Sequence, residues 1–269
     1  MTDVMHSVSS GEGVPLLLVH GLGSSARSWA PIFDALAAKR RVIAVDLPGF
    51  GTTPPLSGAV SVATLADSLT SFLQEKGCLG IDAVGSSMGA RLVLELARRG
   101  GVLGGVLSLD PGGFWQGWQR RAFYTSIYLS IRLVRLLQPA MPFLTRHALT
   151  RALLLAQFSA HPWRLSPQLT LDELRNFAAS PSFDEVLDSL AFGEPQRGAA
   201  SHLIQHPLII GWGKHDRVCF PRQAKRALEL FPDARLHWFS DSGHFPQWDA
   251  PRETVRLILE NLTGTGLSN

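Results

Sequence analysis

Ser87, Asp216 and His244 are the side chains whose types and surroundings could together perform nucleophilic chemistry. Ser87 centres the pentapeptide Gly85-Ser86-Ser87-Met88-Gly89, after the apolar run Ile81-Asp82-Ala83-Val84 and before the helix-patterned Arg91-Leu92-Val93-Leu94-Glu95-Leu96-Ala97. Glycines two residues on either side let a strand and a helix pack closely around a strained turn, which pushes the serine outward. Ser86 does not fit, because Val84 and Met88 occupy those positions around it. A serine hydroxyl attacks only when a base removes its proton. His244, in Asp241-Ser242-Gly243-His244-Phe245-Pro246, is the candidate base. Asp216, at the end of Leu208-Ile209-Ile210-Gly211-Trp212-Gly213-Lys214-His215-Asp216, is a candidate for the acid that orients the imidazole. Asp110 also ends a strand-like run and is the alternative acid.

A second glycine-rich turn, His20-Gly21-Leu22-Gly23, follows the apolar run Val14–Val19. Its free backbone N–H groups suit the negative oxygen of a tetrahedral intermediate, with Leu22 and Met88 as the two donors. Removing one such donor typically costs about 3 kcal/mol of transition-state stabilisation. Each glycine motif alone also reads as a plain turn, and the combination is what points to acyl chemistry. His20 reads as a brace for this loop, and His215 as a turn residue. His147, His161, His202, His206 and His237 lack metal-ligand spacing.

Positioning these residues requires alternating strands and helices. Strand-like runs fall at Leu16–Val19, Val42–Asp46, Ile81–Val84 and Val106–Asp110, and helical patterns near Ser28–Ala38, Val62–Glu75 and Met88–Arg98. The rhythm resumes after Pro207 with a strand, a helix near Pro221–Leu230, a second strand and a helix near Arg252–Asn261. Such alternation predicts a mostly parallel sheet wrapped by helices, with ligands at the strands' C-terminal ends. Residues 112–205 break the rhythm. They predict helices at Trp115–Leu137, Leu144–Phe158, Leu171–Ala178 and Phe183–Phe192, with breaks at Pro139, Pro142, Pro162, Pro167 and Pro181.

With the chain order Ser, Asp, His and the loop Asp46-Leu47-Pro48-Gly49-Phe50-Gly51, the sequence resembles the α/β-hydrolase superfamily, in its capped, esterase-like branch, almost end to end. One departure is Ala90, where many relatives carry a second glycine after the elbow. The resemblance implies an α/β-hydrolase fold with a core of residues 1–111 and 206–269 and a helical cap of residues 112–205. It favours Asp216 over Asp110 as the acid, and it implies an acyl-enzyme on Ser87 with no metal or organic cofactor. A serine at the elbow excludes the aspartate-nucleophile chemistry of haloalkane dehalogenases and epoxide hydrolases.

Composition narrows the partners. The 269 residues are 45% hydrophobic and 17% charged, with a net charge of +3. Basic residues form no helix interleaved with stacking aromatics, so nucleic acid is not expected. No apolar run approaches a transmembrane length or a signal core, and Cys78 and Cys219 are far apart, which together lead us to expect a cytoplasmic protein with two reduced thiols. From Phe114 through Leu171 there is no Asp or Glu, but there are Arg120, Arg121, Arg132, Arg135, Arg146, Arg151 and Arg164. The plain reading is a lid with an apolar underside and a solvated top. Sharper readings are contact with an acidic carrier protein, with anionic lipid, or with a substrate carboxylate.

The expected reaction is hydrolysis of a carboxylic ester of a largely apolar small molecule, with Trp115, Trp118 and Phe245 as substrate-binding candidates. A second reading is carbon–carbon bond hydrolysis of ring-cleavage diketo acids, which Ser87-Met88-Gly89 and His244-Phe245-Pro246-Gln247-Trp248 resemble. Ser86, Ser24 and Ser25 depart from that group, which usually carries Asn and a Gly-Pro-Gly type continuation at those places. An esterase or thioesterase on carrier-bound acyl groups, and a ligand receptor without turnover, are the remaining alternatives.

Overall fold

Residues 5–264 are described by a computed structural model of the protein. Seven strands form one sheet: β1 (Ser7–Ser10), β2 (Pro15–Val19), β3 (Arg41–Val45), β4 (Ile81–Ser86), β5 (Leu103–Leu109), β6 (Leu208–Gly213) and β7 (Arg235–Phe239). Their spatial order is β1-β3-β2-β4-β5-β6-β7. All pairs are parallel except β1 with β3, which is antiparallel. Strand β1 was not expected from the sequence. Its Ser-Val-Ser-Ser stretch lies at the sheet edge with three of four residues exposed, so it carries no apolar signature. Strands β2, β4, β5 and β6 are buried along their whole length, which is why they read as continuous apolar runs rather than alternating ones.

Helices cover both faces of the sheet. On one side α1 (Ala30–Ala37) packs against a core that includes Leu16, Leu18, Trp29, Leu107 and Ile258. On the other, α2 (Val62–Glu75) and α3 (Met88–Arg99) enclose Leu17, Val19, Leu69, Ile81 and Leu92. Ser61 starts α2 by a capping box with Thr64, each bonding the other's backbone N–H.

Five helices separate β5 from β6: α4 (Gln119–Leu137), α5 (Met141–Leu144), α6 (Ala148–Leu154), α7 (Pro167–Ala179) and α8 (Phe183–Phe192). Their limits differ from those expected in three places. Helix α4 begins at Gln119 rather than Trp115, because Gly117 adopts a positive φ of 56°, which a helix cannot contain. The expected helix from Leu144 to Phe158 is broken at Thr145–His147 and ends at Leu154. Helix α7 starts four residues early, at Pro167, since Ser166 caps it by accepting from the Leu169 N–H and proline suits the first turn. After β6 come α9 (Gln223–Leu230), α10 (Pro246–Asp249) and α11 (Pro251–Asn261), the last packing beside α1.

The inserted helices are pinned to the sheet's C-terminal end. Asp249 accepts hydrogen bonds from Ser159 Oγ, the Ala160 N–H and the Gly243 N–H. The His244 N–H donates to the Phe158 carbonyl at 2.9 Å. The loop around Asp46 is a brace rather than a reactive site. Its carboxylate accepts from the Ala26 N–H at 2.7 Å, the Thr52 N–H at 3.0 Å and His6 Nδ1 at 2.9 Å. Gly51 turns so tightly around it that a Cβ would stand 2.3 Å from the Asp46 carboxyl carbon.

Candidate active site

Ser87 sits between β4 and α3 at φ 55° and ψ −111°, a left-handed conformation that costs a non-glycine residue about 1–3 kcal/mol. The flanking glycines permit it. A Cβ on Gly85 would lie 2.2 Å from the Gly89 carbonyl oxygen, and one on Gly89 would lie 2.2 Å from that of Val19. Both positions therefore exclude any side chain. The Ser87 N–H donates to the Leu109 carbonyl at 2.9 Å, which ties the turn to β5.

The structure brings the three remote residues together. Ser87 Oγ lies 2.8 Å from His244 Nε2, and His244 Nδ1 lies 2.9 Å from Asp216 Oδ2. The other Asp216 oxygen accepts from the Val218 and Cys219 N–H groups at 2.7 and 3.0 Å. Those bonds hold the carboxylate against the imidazole. Because it accepts at Nδ1–H, Nε2 is left with its lone pair toward the serine hydroxyl. Both Asp216 and His244 are buried.

Asp110 is also buried, at the end of β5, with φ 48°. One of its oxygens accepts from the Gly213 N–H at 2.8 Å, and the other has no hydrogen-bond partner among the described residues. Burial, with Asp216 beside it, pushes its carboxyl well above the usual range. Asp110 therefore favours its protonated form beside Asp216, and it is Asp216 that touches the histidine. Cys219 completes a compact group with Asp216 and His244. Its thiol is pushed up by burial and by the two aspartates.

The turn His20-Gly21-Leu22-Gly23 lies against the elbow: a Cβ on Gly21 would stand 3.2 Å from that of Ser87. His20 is fully buried and held neutral, its pKa lowered by burial. The Leu47 N–H donates to its Nε2 at 3.0 Å, so the proton sits on Nδ1, which donates to the Gly21 carbonyl at 2.7 Å. In a trans peptide the next N–H points opposite that carbonyl. His20 therefore sets the direction of the Leu22 N–H. Met88 opens α3, so its N–H has no acceptor within the helix.

A cavity of about 30 Å³ adjoins Ser87 and His244. Its walls are Leu22, Val218 and Phe245 from the sheet side, Phe123 and Ile127 from α4, Leu190 from α8, and Phe158 and Phe177. Among the described residues none of these walls carries a charge. Leu22, Phe158, Phe177 and Phe245 also border a second cavity of about 40 Å³, which Glu173 and Trp248 help close. Glu173 is buried, accepts from Ser24 Oγ at 2.7 Å, and leaves its second oxygen unpartnered among the described residues. Burial pushes its carboxyl up to about 8. Larger clefts, of about 500 and 470 Å³, lie elsewhere and include neither Ser87 nor His244.

Of the aromatic residues singled out in the sequence, Phe245 lines the cavity and the two tryptophans do not. Trp118 is 60% exposed, with the Arg222 guanidinium 4.7 Å from its ring. Trp115 stands one layer back, its ring 4.5 Å from that of Phe123. Phe123 and Ile127 had a legible signal: they are the inward positions of an i, i+4 pattern on α4. Phe158, Phe177, Leu190 and Val218 had none that set them apart from ordinary packing residues.

Comparison with known proteins places this geometry in context. The sequence profile of the alpha/beta hydrolase family matches residues 16–257. The chain is 28% identical to the dihydrolipoyllysine-residue acetyltransferase component of the acetoin cleaving system of Pseudomonas putida, over 92% of this chain and 63% of that protein. It is 27% identical to 2-hydroxy-6-oxononadienedioate/2-hydroxy-6-oxononatrienedioate hydrolase 2 of Pseudomonas putida, covering 96% of this chain and 91% of that one. The crystal structure of the enol-lactonase from Burkholderia xenovorans LB400 superposes with a TM-score of 0.76 at 18% identity, covering 96% of each chain.

Proposed function

This chain belongs to the alpha/beta hydrolase family, and from that premise we propose that it is a serine hydrolase cleaving carboxylic esters of small, largely apolar molecules. The observation that carries the reading is the unbroken line of contacts from Asp216 through His244 to Ser87, at 2.9 and 2.8 Å. In the reaction, His244 Nε2 takes the Ser87 proton as Oγ attacks the ester carbonyl. Asp216 keeps Nδ1 protonated and stabilises the imidazolium. The carbonyl oxygen becomes negative and takes hydrogen bonds from the Leu22 and Met88 N–H groups. His244 then gives its proton to the departing alcohol, leaving an acyl group on Ser87. Water, deprotonated by the same histidine, releases the acid.

Helices α4 to α8 act as the cap of this site. They supply Phe123, Ile127, Phe177 and Leu190 as an apolar roof that excludes water. The cavity is small as it stands, about 30 Å³. A short acyl group fits, and a longer one requires the roof to lift. Carbon–carbon bond hydrolysis of diketo acids is the second reading, favoured by the similarity to a 2-hydroxy-6-oxononadienedioate hydrolase, although among the described residues no cationic side chain lines the cavity as it stands.

Purified protein is expected to hydrolyse p-nitrophenyl acetate, and Ser87→Ala to lower turnover by roughly 10⁶. A Ser87→Ala protein that keeps most of its activity refutes the assignment. Faster turnover of a vinylogous 1,5-diketo acid than of any simple ester would favour the carbon–carbon reading.

A further inference from the structure

Large exposed hydrophobic side chains are concentrated on the inserted helices. On α4, Leu129, Leu133 and Leu136 are spaced four and three residues apart and share one side of the helix. Opposite them, Phe123, Ile127, Ile131 and Val134 are buried. Phe143 on α5 and Leu149 and Leu153 on α6, the next two helices in the chain, are likewise exposed. These six side chains are between 50% and 76% exposed. Isolated exposed apolar residues are ordinary, but a run of large ones along three consecutive helices marks an interaction surface.

Charge identifies the partner. No Asp or Glu occurs from Phe114 through Leu171, whereas Arg121, Arg132 and Arg146 are exposed within the same stretch. Arg135 is paired with Asp184, and Arg151 is buried against backbone carbonyls, so neither contributes. A second copy docked about a two-fold axis would set this positive face against itself. Exposed aliphatic side chains in the same stretch as exposed arginines match the acyl and phosphate layers of an anionic bilayer surface, where guanidinium heads reach phosphate while their stems lie along lipid. No helix among the described residues is long and apolar enough to cross a membrane, so the contact is with one surface.

We propose that α4, α5 and α6 form a peripheral docking face for anionic phospholipid bilayers. The inner side of α4 roofs the cavity at Ser87, so the bilayer would lie against the outside of that same helix. Binding is measured without turnover, and the inference therefore does not depend on the serine hydrolase assignment.

The test is flotation of the whole protein with vesicles of phosphatidylcholine alone, and with phosphatidylcholine containing phosphatidylglycerol. Binding is expected to be at least about tenfold tighter to the anionic vesicles and to weaken with salt. Leu133→Asp with Leu136→Asp abolishes it, and Arg132→Glu with Arg146→Glu weakens it by roughly tenfold or more. All four side chains are exposed, and circular dichroism reports that each variant is folded. Equal partition onto both vesicle types, or anionic binding unaffected by the leucine substitutions, overturns the proposal. So does a concentration-dependent dimer that Leu133→Asp disrupts while vesicle binding is absent, which would assign the face to a second copy. Polyglutamate binding as strong as vesicle binding and insensitive to Leu133→Asp also overturns it, in favour of an acidic protein partner.

Discussion

Replacing Glu173 with glutamine should remove a specific pH dependence from the stability of the fold. The carboxyl lies on α7, buried, with one hydrogen bond from Ser24 Oγ and one oxygen without a partner. Burial raises it from the ordinary 4.5 to about 8, Asp172 adds to the rise, and the Ser24 bond opposes it. A carboxyl raised on folding means that the folded state holds a proton the unfolded chain has released. Its favourable state is fully present below pH 4.5 and is lost as pH climbs toward 8. At 1.36 kcal/mol for each tenfold change in proton affinity, the difference between 4.5 and about 8 amounts to about 5 kcal/mol. That is a large part of the 5–15 kcal/mol typical of a domain. The assay is urea denaturation of the wild type and Glu173→Gln at pH 5 and pH 8.5. Glutamine matches the shape and keeps an acceptor for Ser24 but does not titrate. Other ionising groups cancel in the comparison, and the variant should gain about 3–5 kcal/mol on the wild type between the two pH values. Parallel stability profiles would refute the argument, because they would mean that Glu173 is hydrated or charge-paired in the folded protein.

Two further perturbations probe the site itself. Asp216→Asn should lower kcat by about 10³–10⁴, since the amide no longer holds the productive imidazole tautomer, whereas Asp110→Asn should leave kcat within about threefold; steady-state kinetics with the reverse ranking would make Asp110 the working acid. Gly89→Ala should destabilise the protein by 3 kcal/mol or more, as its Cβ meets the Val19 carbonyl at 2.2 Å and the His20 carbonyl at 2.5 Å; an unchanged urea midpoint would show that the strand and the helix can separate at no cost.

The sequence by itself determined the interior strands and the turns that follow them, but not the edge strand β1 or the limits of the inserted helices. Apolar runs ending near Val84, Asp110 and Gly213, alternating with helical patterns, read as interior strands, and the glycines around Ser87 suited a sharp strand-to-helix turn. Such features depend on residues within about ten positions of one another, so they are legible along the chain. The break after Asp110 was equally clear, although Gly117 at positive φ moved the start of α4 beyond Trp115. What only the tertiary structure decided are relations between distant segments. That Asp216 Oδ2 comes to 2.9 Å from His244 while Asp110 is turned to the Gly213 N–H follows from the order of β5, β6 and β7, since both aspartates end strands and look alike in one dimension. Phe177 reaches the cavity and Trp118 faces solvent because of how α4 and α7 lie over the sheet. Glu173 reads as an ordinary polar position between Asp172 and Leu174, and its burial exists only because α7 settles on the loop of Ser24. Side-chain surroundings of this kind are set by packing between segments 28 to 149 residues apart, and local sequence carries no record of them.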